Sequence, residues 1–400
     1  MSTTPSLRPM FSFSGWVIDR IDIDWEASEA IVDLRRDGRI QQIKCSQCHH
    51  AMGKMRENER SVQDLPLGAI NVRLRFTAYQ GRCSSCKHFE TFTLPGLAPK
   101  AQATDRLKHH VSHLCRYMPS DKVPEFIATS HDTARRWDKE MLMKNLPAPQ
   151  LDDIRALLID EKSIGKGHHY LTVVLNADTG ETLFLGEGKR KATLDSFLSS
   201  LTLEQRASIQ CVGIDRGGSY KASVKEYLPD ADIVFDKFHI VANYNEVIDK
   251  IRRREWRAAE EEDKPFIKGQ RFNLFMNLEN LTPKRESSLH ELLSMNEDLN
   301  QAYILKDMLK QLWTYTYKAC AGKFLDKWIE LAKDTGIDEL KRFAKGLNRA
   351  REGLLSYCQH RITSAKIEAF NGVIKRIIYK ACGYNDLEYL YLKIRQESLK

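Results

Sequence analysis

No stretch of this sequence approaches the ~20 consecutive apolar residues that a membrane-spanning helix needs. The first residues also lack the apolar core of a secretory signal. Both absences lead us to expect a cytoplasmic protein, in which a disulfide framework is not expected. Neither sign of charge is scarce: 62 Lys and Arg against 54 Asp and Glu leave a net +8. That excess suits a polyanionic partner without requiring one. At 400 residues the chain is too long for one ordinary domain.

The nine cysteines fall into two classes. Cys115, Cys211, Cys320, Cys358 and Cys382 stand alone, whereas Cys45/Cys48 and Cys83/Cys86 form two CxxC pairs. A two-residue gap lets both thiolates of a turn face one ion, and two such turns make the tetrahedral sulfur set of a structural zinc. The intervening segment Ile70 to Tyr79 alternates with period two, so it reads as a strand leading into the second pair. His49, His50 and His88 flank the pairs as second-choice ligands.

Helical periodicity follows over Thr104 to Tyr117, then a shorter run over Val123 to Ala128, then a third helix capped by Ser130 and reaching toward Leu146. This order suggests a helix-turn-helix whose third helix enters the major groove, with Asp132, Thr133, Arg135 and Arg136 as readers. A small helical linker with a solvated Arg pair is the alternative. His109, His110 and His113 share a helix face and read as surface or phosphate-facing residues.

Pro147-Ala148-Pro149 marks a boundary. Beyond it, three short apolar runs each stop on an aspartate, Asp160, Asp215 and Asp236. Such runs read as strands buried on both faces, and ligands of open α/β sheets gather at strand carboxyl ends. One aspartate there is readily explained as a cap, but three suggest a shared divalent-metal site. The pattern is βββαβαβ followed by a long helix from about Phe238 to Trp256, the strand order of the ribonuclease H-like fold. On that fold Asp160 and Asp215 sit side by side. Asp178 belongs to a turn, and Glu161 points to the opposite strand face from Asp160. Phosphodiester chemistry with two divalent ions wants a third acid. Glu368 is a candidate, on a helix where Asn371 shares its face and Lys375 and Arg376 follow one turn later; a solvated surface glutamate is the alternative, which the two upstream aspartates weigh against.

From the CxxC pairs to the final helices, the chain resembles bacterial insertion-sequence transposases of the IS-L-three family. The resemblance is carried by Asp215-Arg216-Gly217-Gly218-Ser219-Tyr220, by Leu228 to His239, and by Glu368-Ala369-Phe370-Asn371-Gly372. It implies an Asp-Asp-Glu set at Asp160, Asp215 and Glu368, holding Mg²⁺ or Mn²⁺. A DxxH signature falls on Asp236 and His239, which we place with Asn371 beside the site. Gly217-Gly218 stands where bulkier residues are expected. The implied activity is binding of terminal inverted repeats, then metal-dependent strand cleavage and strand transfer, with no covalent protein intermediate. The partners are double-stranded DNA, as repeat and as target, and further copies of the chain, since synapsis of two ends needs at least a dimer.

The expected organisation is multidomain α/β: a zinc-binding domain over 1–99, a helix-turn-helix domain over 100–148, a ribonuclease H-like core over 149–256, a helical insertion over 257–357, and C-terminal helices over 358–400 that complete the core. In the insertion, leucines recur at helical intervals from Leu274 to Leu312. Trp256, Trp313 and Trp328 are expected in its core, with stacking on an unpaired base as the alternative. Lys264, Lys268, Arg271, Lys284 and Arg285 are available to phosphates. Two other function classes compete. A zinc-dependent transcriptional regulator leaves the acidic strand ends unused, and a structure-selective nuclease of the same fold needs no sequence-specific ends.

Overall fold

The computed structural model describes residues 8–39, 43–98, 100–165, 167, 169–215 and 219–399, so Arg216-Gly217-Gly218 of the resemblance lie outside the described residues. Strands β1 (Trp16–Asp24), β2 (Glu29–Arg36), β3 (Met52–Leu67), β4 (Ile70–Cys83) and β5 (Phe89–Phe92) precede helices α1 (Asp105–Tyr117) and α2 (His131–Asn145). Then come β6 (Ala156–Ser163), β7 (Tyr170–Asn176), β8 (Thr182–Glu187), α3 (Lys191–Ser200), α4 (Leu203–Ser208), β9 (Cys211–Ile214), α5 (Tyr220–Tyr227), β10 (Asp232–Phe235) and α6 (Lys237–Ala258). The remainder is helical: α7 (Lys264–Gly269), α8 (Arg271–Phe275), α9 (Pro283–Met295), α10 (Glu297–Lys310), α11 (Lys318–Asp334) and α12 (Asp338–Arg349). Last are α13 (Arg351–Leu355), α14 (Tyr357–His360), α15 (Ala365–Lys380) and α16 (Leu387–Ser398). Two compact units result: Met1–Pro147 with Tyr379–Gln396, and Ala148–Ile378 with Glu397–Lys400.

In the first unit the sheet order is β1-β2-β4-β3, with β5 also on β4. Period-two burial drives it: Ala30, Val32 and Leu34 of β2 and Val72, Leu74, Phe76 and Ala78 of β4 fill one core. β4 covers the strand read from Ile70 to Tyr79 and runs on to Cys83, which pairs across the ribbon with Met52 at the start of β3. The hairpin thereby closes the 34 residues from 49 to 82 and returns the second CxxC to the first.

Thr104 and Ser130 cap α1 and α2, their hydroxyls accepting the Leu107 and Thr133 N–H groups. The run expected as a short helix over Val123–Ala128 is instead a 3-10 turn over Ser120–Glu125. Pro124 inside it lacks the N–H that a further α-turn would use. α16 packs here too. Fully buried Asp138 of α2 accepts hydrogen bonds from Ser112 Oγ (2.6 Å), the Tyr389 hydroxyl (2.6 Å) and Lys393 Nζ (3.1 Å). The expectation that all of 358–400 completes the catalytic core therefore needs correction. Tyr389 and Lys393, four apart on α16, have polar ends that need this carboxylate, and they keep the last helix with α1 and α2.

The second unit holds a sheet of order β10-β9-β6-β7-β8. β10, β9 and β6 are mutually parallel, and β6, β7 and β8 antiparallel. The expected neighbours β6 and β9 are adjacent. β6 does not stop at Asp160, as its apolar run suggested. Its antiparallel ladder with β7 continues to Ser163, while the parallel ladder with β9 ends at Leu158 and Gly213, so Asp160 sits where the parallel side opens. Asp178 does lie in the β7–β8 turn, its N–H bonded to Asn176 Oδ1.

The helical part shares one core with the sheet, through Leu274, Leu289, Leu299, Leu305 and Leu312 among others. Trp328 is fully buried and donates its N–H to the Leu305 carbonyl, and Trp313 is buried as well. Neither indole is placed to stack on a base. Buried Lys306 donates to the Leu274 and Met276 carbonyls at 2.6 and 2.7 Å, tying α10 to the end of α8.

Two stability predictions follow from these buried charges. Asp138→Ala strands the Lys393 ammonium, so the first unit should lose about 3–5 kcal/mol in denaturant unfolding, and Lys393→Met in the same chain should recover much of it. Burial lowers Lys306 to about 7, against 10.5 for an ordinary lysine. Between those values the unfolded chain binds more protons than the native state, so stability rises as pH increases through that window. Urea midpoints at about pH 7 and about pH 10 should show the rise, and Lys306→Met should flatten it.

Candidate active site

Parallel pairing sets the site. β6 and β9 pair Leu158 with Gly213, and β9 and β10 pair Ile214 with Phe235. Continuing each register by one or two residues puts Asp160, Asp215 and Asp236 in a single row across three neighbouring strands. The row opens at the carboxyl edge, and the three acids line one cavity with Gly213, His239 and Ser364.

Each acid has a different environment. Asp160 is half-buried, and desolvation raises its pKa. Its two oxygens accept the Glu161 N–H (2.7 Å) and Asn371 Nδ2 (2.6 Å), both of which favour the ionised form. Asp215 faces the His239 ring, with Nδ1 3.6 Å from its Oδ2. Asp236 caps α6 by accepting the His239 N–H at 3.3 Å, and the ring Nε2 of His239 lies 3.8 Å from the same carboxylate. The other oxygen of Asp236 is buried without a hydrogen-bond partner. His239 thus stands between two members of the row.

Glu368 comes from α15, where Ser364 Oγ donates to its Oε1 at 2.7 Å. Ligand atoms of Asp236, His239 and Glu368 all lie within 4.8 Å of one another. Asp160 meets α15 through Asn371 rather than through Glu368. α15 therefore meets the row by two contacts, Asn371 on Asp160 and Glu368 beside Asp236 and His239, and among the described residues the ligand group that includes Glu368 contains neither Asp160 nor Asp215. Lys375 and Arg376 are exposed further along α15.

Two positioning residues escaped the sequence reading. A Cβ on Gly213 would come within 2.7 Å of Leu158 and 3.2 Å of Ile362, so the absent side chain lets the segment before α15 lie on the sheet next to the acids. Lys366 then clamps α15 by donating to the Ala177 and Asp178 carbonyls at 2.7 and 2.6 Å. A glycine two residues before a strand-end acid was the only available signal for the first, and the second had none. Glu161 lines a neighbouring cavity of about 360 Å³ with Tyr170 and Tyr220, and burial raises its pKa while Lys189 opposes the shift.

In the first unit the four sulfurs of Cys45, Cys48, Cys83 and Cys86 converge, with cross-pair contacts of 3.4 to 3.5 Å. Tetrahedral thiolates on zinc stand about 3.8 Å apart, given Zn–S bonds of about 2.3 Å, so the set fits. The two turns repeat one design. His49 and Lys87 adopt left-handed backbone at φ 58° and 62°, and their N–H groups bond back to the Cys45 and Cys83 carbonyls. The Cys86 backbone N–H is the main influence lowering Cys83 to about 6. His49, His50 and His88 stay outside the sulfur group, His50 Nδ1 lying 3.0 Å from the Cys48 carbonyl. On α2 the Thr133 hydroxyl is engaged by its cap Ser130, Arg135 lies 3.4 Å from Asp132, and Arg136 is exposed.

Comparison with known proteins bears on what these features serve. A family model for transposases of the IS-L-three Asp-Asp-Glu type matches residues 157–394. The transposase for insertion sequence element IS1001 of Bordetella parapertussis is 33% identical over 395 residues, covering 96% of this chain and 97% of that protein. The transposase for insertion sequence element IS1557, from two strains of Mycobacterium tuberculosis, is 30% identical over 262 residues, 60% of this chain and 59% of its own length. With more than half of its length matched by the model and nearly all of it by a relative, the chain belongs to the IS-L-three family of insertion-sequence transposases.

Proposed function

We propose that this transposase binds the terminal inverted repeats of its element and performs metal-dependent strand cleavage and strand transfer at the row of acids in its second unit. The observation that carries the reading is that row itself. Three carboxylates share one register on adjacent parallel strands, and a later helix brings Glu368 and Asn371 against them. The sheet order, with its first strand between the second and the fourth, supports a ribonuclease H-like core. It also favours a polynucleotidyl transferase over a transcriptional regulator, which would have no use for the row.

Asp160, Asp215 and Glu368 would hold Mg²⁺ or Mn²⁺, with Asp236 and His239 beside them. The donors fit a hard divalent ion, since all three are carboxylates, and the adjacent Asp236 adds a buried carboxylate oxygen that has no hydrogen-bond partner. When bound, such ions neutralise phosphate charge and activate the attacking oxygen. The protein's own part is positioning. Asn371 fixes the rotamer of Asp160, Ser364 orients Glu368, and Lys366 with Gly213 seats α15 on the sheet. No Ser or Tyr nucleophile is needed, because charge neutralisation and alignment suffice for in-line displacement.

Recognition of the repeats falls to the first unit. α1, the 3-10 turn and α2 act as a helix-turn-helix, with Arg135 and Arg136 as DNA contacts and Thr133 at the helix start. Lys375 and Arg376 on α15 contact the strand near the acids. Zinc on the four cysteines holds together the open end of the β3–β4 hairpin, opposite its turn, and synapsis of two ends requires at least two copies.

On DNA carrying the element ends, Asp160→Asn, Asp215→Asn and Glu368→Gln should each cut cleavage at least ~10²-fold while leaving binding intact. Asn371→Ala should lose ~10–100-fold, since it acts through Asp160. Cleavage retained by Asp160→Asn, with nicks mapped at single-nucleotide resolution in Mg²⁺ or Mn²⁺, would overturn the assignment. Metal analysis should find about one zinc per chain, absent in Cys83→Ser, and chelation should lower the melting temperature of the first unit.

A further inference from the structure

The edge strand of the second sheet separates two cavities of different character. Along β10 the side chains alternate: Val234 and Asp236 face the acid cavity, whereas Ile233 and Phe235 line another of about 490 Å³. Lys221, Lys225, Lys318 and Arg349 border this second space, against only Asp232 and Glu352. Asp232 is already matched, by Lys318 at 3.2 Å and by His360 at 2.8 Å. Lys225 and Arg349 are exposed, and among the described residues neither has a carboxylate within ion-pair distance. The Lys221 ammonium lies 5.7 Å from the centre of the Phe235 ring, which forms the floor. Gly353 keeps that floor in place, because a Cβ there would collide with the ring.

A concavity with surplus cations concentrates anions. These cations are spread along a rim from α5 to α12 rather than converging on one point, so they suit an extended polyanion better than a small one. Lys221 and Lys225 are four apart on α5, on one face and about 6 Å apart along its axis, which lets each address a separate phosphate. We propose that this cavity holds the phosphodiester backbone of a DNA strand a few nucleotides from the scissile phosphate, after the strand has passed over the edge of β10. The contact is independent of sequence. The proposal rests on the transposase reading of the acid row, which places the scissile phosphate on the other side of the same strand.

The test uses the full-length protein and a duplex carrying an element end, in Ca²⁺, comparing the unaltered chain with Lys225→Glu/Arg349→Glu and with Lys225→Arg/Arg349→Lys. The charge-reversed pair should reduce the slope of log affinity against log salt by about two, roughly one per lost phosphate contact, and weaken specific and non-specific DNA alike. Phosphate-ethylation interference should lose positions within a few nucleotides of the cut, and the charge-preserving pair should keep them. A charge-reversed variant with native circular dichroism and melting, whose slope and interference pattern match the unaltered protein, overturns the proposal. So does displacement of this contact by inorganic phosphate at constant ionic strength, which would mark a small-anion site. Failure of the transposase reading shows separately, as absence of Mg²⁺- or Mn²⁺-dependent cuts by the unaltered protein.

Discussion

Carboxylates held side by side across a parallel sheet repel one another, and the second unit is organised around managing that repulsion. The backbone gives no freedom to separate them, because parallel pairing sets adjacent strands less than about 5 Å apart. Relief comes from polar groups supplied by other elements. Asn371 and a backbone N–H satisfy Asp160, the His239 ring stands between Asp215 and Asp236, and the first turn of α6 accepts Asp236 as its cap. None of these partners carries a fixed positive charge. The partners just named thus stabilise the row through hydrogen bonds and ring contact, and carboxylate oxygens grouped in this way are the donors that hard divalent ions prefer.

That arrangement explains why α15, far along the chain, belongs with the middle. Glu368 has no local reason to be more than a surface residue of an amphipathic helix, and it is indeed exposed. It gains its place because Ile362 crosses Gly213 and Lys366 reaches the carbonyls of the β7–β8 turn. A methyl group at position 213 would act on the site through this docking, without touching any acid.

Much of this was legible in the sequence, and the reasons differ by element. Buried parallel strands announce themselves as short apolar runs, so the strands ending near Asp160, Asp215 and Asp236 could be read directly. The paired cysteines were equally plain, because ligand spacing is a local property. Contacts between distant segments were not. Asn371 and Asp160 are separated by 211 positions, and Tyr389 and Asp138 by 251. Neither helix shows in its own residues which unit it will join. The 3-10 turn was misjudged because apolar spacing over so few residues cannot separate it from a short α-helix, and Pro124 was the cue that decided it. β1 and β2 were passed over because their charged and apolar residues alternate around a bulge near Ile18 and Arg20, which breaks the period.

The placement of α16 also bears on synthesis. α1 and α2 are translated well before α16, yet the partners of buried Asp138 on α2 include Tyr389 and Lys393 of α16. While the ribosome is still at work, that carboxylate lies in a half-built core, and the first helices lack their buttress. Glu368 precedes Tyr389 by only 21 positions, counted from 368 to 389. By the time the N-terminal unit can close its core, the final acid of the other unit already exists. A nascent or prematurely terminated chain is thus denied a finished first unit, and the protein acquires its two halves as working parts at nearly the same moment.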